Sequence, residues 1–220
     1  ALKDAAKLSD PKEVVPFVTN RLREALAPYK LTTTPSFVFA AFFPNFGEHG
    51  MIIRVADCSY LINGEGNNPG LAIDRLKSKD RARRLREEIE QGADIEALLT
   101  DDPTRPHMRS LTKDLQPRLA NAPLSGKDTI FDKYRYPVIN GVEVPADLVE
   151  YIPVSASASS IILATDGYPP QALKESLEET EAVLKEIRDR DRLAIGEMLS
   201  TRGVMPENID DRSYVRIVRS

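Results

Sequence analysis

Ser160-Ile161-Ile162-Leu163-Ala164-Thr165-Asp166-Gly167 is the stretch whose reading decides the fold. Its apolar run is short and almost unbroken, the pattern of a strand buried on both faces. Asp166 stands at its exit, where core meets water, and Gly167 frees the backbone to turn sharply there. Fold-making alone requires no acid at that point, although a lone Asp-Gly also serves as an ordinary turn. A second acidic pair, Asp210-Asp211, precedes another strand-like run, Ser213-Tyr214-Val215-Arg216-Ile217-Val218. Two distant strand ends are therefore expected to bring Asp166 and Asp210 together around metal ions.

Further strands lie upstream. Residues 36–43 and 49–56 are aromatic and β-branched, and the turn-like Pro44-Asn45-Phe46-Gly47-Glu48 joins them as an antiparallel hairpin. Ser59-Tyr60-Leu61-Ile62 adds a third strand that runs into the Asn63-Gly64 turn. Residues 134–139 and 148–154 read as a second group of strands ahead of 160–166. Helical spacing marks residues 9–27, which open on Ser9-Asp10-Pro11, then Asp74 to Ile89 within the charged stretch 74–98, and then 177–187, with a further helical turn over 191–199. The tract Lys77-Ser78-Lys79-Asp80-Arg81-Ala82-Arg83-Arg84 is either a phosphate-binding face or, with Glu87, Glu88 and Glu90 so close, a solvated helix face with i,i+4 pairs. The order of elements is not a βαβ alternation. It suits an α+β fold, with antiparallel sheets covered by helices on their outer faces, as one domain over residues 1–220 with an irregular insertion at about 100–127 that holds a weak helix around Ser110 to Ala120.

Composition narrows the chemistry. With 30 basic and 34 acidic side chains in 220 residues, the net charge of -4 offers no general attraction to nucleic acid or to anionic membranes. No apolar stretch is long enough to cross a bilayer, and the cytoplasm is the expected location. Cys58 is the single cysteine, so an internal disulfide and a thiolate metal site are excluded, and its apolar surroundings suggest an inert buried thiol. His107 reads as a surface-loop histidine or a catalytic acid; with His49 it makes only two, too few for a typical zinc site. No nucleophile elbow, phosphate loop or dinucleotide fingerprint occurs. Oxygen-ligand metal chemistry is what remains, and carboxylates without imidazole or thiolate favour Mg²⁺ or Mn²⁺.

Three segments carry a family resemblance. Val55-Ala56-Asp57-Cys58-Ser59-Tyr60-Leu61 resembles the "VGDSRxYL" segment of the PPM/PP2C metal-dependent serine/threonine protein phosphatases. Ile162-Leu163-Ala164-Thr165-Asp166-Gly167-Tyr168 resembles their "ILASDGLWD", and Asp210-Asp211-Arg212-Ser213-Tyr214-Val215 their closing "DNxTVV". The likeness spans about residues 10–218 and is nearest to divergent bacterial members. It implies an αββα sandwich of two antiparallel sheets flanked by helices, here lacking the first strands. It also implies that Asp166 and Asp210 are metal ligands for Mg²⁺ or Mn²⁺ in a two-metal site. Gly167, Asp211 and a mainly structural Asp57 would support them. The substrate would be a phosphorylated protein or a small phosphomonoester.

The chain departs from that pattern in several places. The family's phosphate-contacting arginine, its early metal aspartate and its first "DGxGG" are not found before the first helix, so the metal site is expected to be incomplete in this chain. Alanine precedes Asp57 where the family has glycine, Asp211 replaces an asparagine, and Tyr168-Pro169-Pro170-Gln171 replaces "LWD". These departures leave room for a catalytically inactive binding or regulatory module. Sheet edges left exposed by missing strands would allow a homo-oligomer.

Overall fold

Alternating apolar residues build two antiparallel sheets in the computed structural model, which describes residues 2–30, 35–67, 70–127, 129–200 and 212–219. The first sheet has the order β1 (Phe39–Phe43), β2 (Met51–Val55), β5 (Val149–Pro153). The second has the order β4 (Glu65–Asn67), β3 (Ser59–Ile62), β6 (Ser160–Ala164), β7 (Tyr214–Val218). The hairpin read from the sequence holds, with Phe39 opposite Val55 and Phe43 opposite Met51.

The strands' two-residue period sorts side chains into layers. Phe39 and Phe43 of β1, Ile53 and Val55 of β2 and Val149 of β5 point outward onto a helix, α2 (Val14–Leu26), which contributes Val14, Val15 and Val18. Their neighbours Phe42, Ile52 and Ile152 point inward and meet Tyr60, Ile62, Ile161, Leu163 and Ile217 of the second sheet. The outer face of that sheet, with Leu61, Ala164 and Tyr214, packs on α7 (Leu177–Arg190) through Val183, Leu184 and Ile187. Strand β6 thus lies between the first sheet on one side and α7 on the other, which is why its run is apolar on both faces.

The helix-entry signal at Asp10-Pro11 acts as expected. Asp10 accepts the Lys12 amide at 2.8 Å and opens a 3-10 turn at Pro11–Glu13 that leads into α2. Ser176 accepts the Glu179 amide at 3.1 Å at the start of α7. A short α1 (Leu2–Ala5) precedes α2.

Between the strand groups the helix expected over Asp74 to Ile89 forms as α3 (Ala72–Glu90), and Gly92, whose φ of 92° ends it, separates it from α4 (Ile95–Thr100). The weak helix expected around residues 110–120 within the insertion is α5 (Arg105–Leu119), longer than expected and with proline in its first turn. Residues 134–139 do not form a strand. They follow α6 (Ile130–Tyr134), capped by Thr129, and make only isolated bridges, Tyr136 to Ala120 and Ile139 to Phe37. Pro137 lies between those bridges and has no amide to donate to a ladder.

The helical turn expected at 191–199 is absent too. There the Asp191 carboxylate accepts the amides of Ile195, Gly196 and Met198 at 2.9 to 3.0 Å. One side chain thus takes donors that a helix would pass to backbone carbonyls.

On α3 the basic tract makes ion pairs, Arg83 with Asp80 and Glu87 and Arg84 with Asp80, as a solvated face does. Arg81 departs from that pattern and is buried at 1% exposure. No helix among the described residues is long and apolar enough to cross a membrane.

Candidate functional site

The antiparallel register of β3 and β6 decides where the acids go. Ser59 faces Ala164, so two residues further along each strand Asp57 comes opposite Asp166. Asp57 lies in the tight turn between β2 and β3, and Asp166 in the turn that leaves β6. Both sit at one end of the stacked sheets. Burial, followed by the charge of Asp166, pushes the Asp57 carboxyl up to about 6; Asp74 of α3 adds to the rise, while a backbone hydrogen bond and Arg54 oppose it. Three carboxylates from three elements therefore share one electrostatic environment.

The charge of Arg54 acts on Asp57 from the core. Arg54 is 1% exposed and stands between the two sheets. Its Nη1 donates to the Cys58 carbonyl at 3.2 Å, and its Nη2 to Glu150 Oε2 at 2.5 Å. Its guanidinium carbon lies 5.3 Å from the centre of the Tyr60 ring. The bond to Cys58 ties the buried arginine to the turn that carries Asp57. Cys58 itself is buried, and burial together with Asp57 and Asp166 pushes its thiol up to about 12, which makes it the inert thiol expected.

Ala56 precedes Asp57 with a φ of 68°, in the left-handed region that disfavours a side chain. Glycine would adopt this turn without strain. An Ala56→Gly variant is expected to gain roughly 0.5–1 kcal/mol of stability, read as a higher urea midpoint with an unchanged slope.

Asp74 links the acids to a cavity of about 130 Å³ between α3 and α5. Lys77, Thr112, Gln116 and Tyr136 supply its polar lining. Lys77 Nζ lies 2.7 Å from Asp74. Burial and then the Asp74 charge push the Tyr136 phenol up to about 12. His107 is not in a loop. It lies in the first turn of α5 with Nε2 2.9 Å from Asp80, as part of the α3 charge network and without contact to the acids described above.

Of the residues singled out from the sequence, Asp57, Asp166 and Gly167 meet at this sheet end. Asp210 and Asp211 lie outside the described residues. The expected pairing of Asp166 was with Asp210, with Asp57 mainly structural. The structure brings Asp57 within electrostatic reach of Asp166. Asp74, Arg54 and Tyr60 carry no local signal of a site, because Asp74 is one acid in a charged helix and Arg54 one charge in a strand.

Among the described residues no group of three or more His, Cys, Asp or Glu side chains is placed to hold a metal ion. The donor set of Asp57 and Asp166 still suits one hard cation, since Mg²⁺ binds through one or two carboxylates and keeps most of its waters. Burial first and then the charge of Asp166 lift Asp57, and a divalent cation would relieve the repulsion part of that rise. Comparison with protein families, with curated proteins and with solved structures gives no match to this chain.

Proposed function

We propose that this chain is a metal-dependent phosphatase domain of the PPM/PP2C type, or the C-terminal portion of one, acting on a phosphomonoester such as phosphoserine or phosphothreonine. The observation that carries this reading is the placement of Asp57 and Asp166 in register at one end of two stacked antiparallel sheets, with α2 and α7 on the outer faces. The left-handed Ala56 supports it, because it occupies the position where the resembled motif has glycine. Asp57 and Asp166 would hold the cation, Mg²⁺ or Mn²⁺. When bound, such an ion supplies an activated water and charge stabilisation for in-line displacement at phosphorus. Arg54 keeps the Asp57 turn in place through the Cys58 carbonyl. A catalytically inactive module that binds a phosphorylated partner through the same fold is the competing reading.

Two measurements separate these readings. Calorimetric titration of the full-length protein with Mn²⁺ is expected to give binding that Asp166→Asn weakens at least about tenfold. Release of p-nitrophenol from p-nitrophenyl phosphate is expected to require Mn²⁺ and to fall by a similar factor in that variant. Metal binding without turnover would favour the binding module. Turnover unchanged in Asp166→Asn would reject the site.

A further inference from the structure

We propose that Arg188 and Arg212 form a binding site for a phosphate-class oxyanion, on the side of the second sheet that α7 covers. Arg188 lies two helical turns after Glu181 on α7, hence on the same face of that helix. Arg212 enters from the segment ahead of β7. Its guanidinium carbon stacks 5.3 Å from the Tyr168 ring centre, and its Nη2 lies 3.4 Å from Glu181 Oε2. The other Glu181 oxygen accepts the Tyr168 hydroxyl at 2.6 Å. One carboxylate therefore faces two guanidinium groups, with both of its oxygens already engaged.

Among the described residues the two arginines are undersupplied with acceptors: Arg188 Nε and Arg212 Nη1 are buried without a hydrogen-bond partner there. Burial and then the charge of Arg212 hold Arg188 below the ordinary arginine range, with Glu181 and Tyr168 opposing. Two like charges brought together with unmet donors are costly unless an anion joins them. Glu181 offsets one of the two guanidinium charges, so a singly charged phosphate-class oxyanion balances the remaining one, and its oxygens accept from planar guanidinium donors. A neutral ligand would leave the repulsion in place. Tyr168 follows Gly167 directly, so the site adjoins the turn that carries Asp166. It needs no metal at Asp57 and Asp166, and it stands or falls independently of the phosphatase reading.

The test uses the full-length protein in EDTA. Sodium phosphate is titrated calorimetrically, and thermal unfolding is compared in phosphate and in chloride at equal ionic strength. Phosphate is expected to bind and to raise Tm above the chloride value. Arg188→Gln and Arg212→Gln should each weaken binding at least about tenfold. Arg192→Gln, at an exposed arginine paired with Glu96, should leave it unchanged. Phosphoserine competing with phosphate would identify a phosphomonoester as the source, whereas binding of inorganic phosphate alone would identify a free anion. A wild-type Tm no higher in phosphate than in chloride would overturn the proposal without any variant having to fold. Phosphate affinity retained in both arginine variants, with native circular dichroism, would overturn it equally.

Discussion

Urea unfolding of an Asp102→Ala variant is expected to show a loss of about 3–5 kcal/mol, among the largest effects of any single substitution in this protein. Asp102 lies between α4 and α5 and is 5% exposed, and Arg81 of α3 is 1% exposed. Their Nε and Oδ2 are 2.8 Å apart. Asp102 Oδ1 also accepts the Thr104 amide at 2.9 Å and the Thr104 hydroxyl at 2.6 Å. Burial raises the Asp102 pKa, but the hydrogen bonds of Thr104 and the charge of Arg81 outweigh it, so the net shift is downward. Arg81 Nη1 reaches the Leu193 carbonyl at 2.9 Å.

The pair therefore binds α3 to the α4–α5 junction and to the turns after α7, above the small cluster of Leu85, Leu98 and Leu193. Removing the acid leaves a guanidinium buried without its counter-charge, which is where the cost arises. The double variant Arg81→Met, Asp102→Leu removes both charges, and it is expected to lose much less than Asp102→Ala alone. Equal losses in the two variants would show that the ion pair is not the source of the effect.

The second large effect is a pH dependence centred on Asp57. In the folded chain its carboxyl keeps the proton up to about 6, against an ordinary value of 3.8. Between those values the folded state binds more protons than the unfolded state, so unfolding free energy falls as pH rises. The contribution is fully present below 3.8 and is gone once pH has passed 6. Two pKa units correspond to about 3 kcal/mol, an upper bound for a partly buried group.

Asp57→Asn is expected to remove this slope, so that in EDTA the variant is more stable than wild type at pH 7.5 and nearly equal to it at pH 4. Asp80 shifts the other way, down to about 2, because the hydrogen bonds of Arg83, Arg84 and His107 outweigh its burial. Its contribution is lost only as pH falls below the ordinary carboxylate range, so it does not mask the Asp57 window. Parallel profiles for wild type and Asp57→Asn between pH 4 and 7 would refute the assignment.

How much of this was readable beforehand depends on the range of the interaction. The hairpin of β1 and β2, the strand β6 with its acid exit, the amphipathic α7 and the cap at Asp10 all rest on contacts a few residues apart. Periodicity and capping chemistry report such contacts directly. The misreadings fall where a distant or unusual partner intervenes. Asp191 draws three amides out of a helical turn, and Pro137 stops a strand that aromatic content had suggested.

Short apolar and β-branched runs between turn signals, with helical spacing elsewhere, by themselves determined that this chain forms antiparallel strands flanked by helices, and that an acid follows the buried strand at 160–164. Tertiary structure decided which strands pair: β5 beside β2, with Ile53 opposite Tyr151, and β6 beside β3. It also decided that Asp57 meets Asp166 and that Arg81, one of many charges on α3, is the one buried. The physical reason is separation along the chain. A side chain's period is a local property, whereas the pairing of strands about a hundred residues apart depends on how whole faces bury against one another.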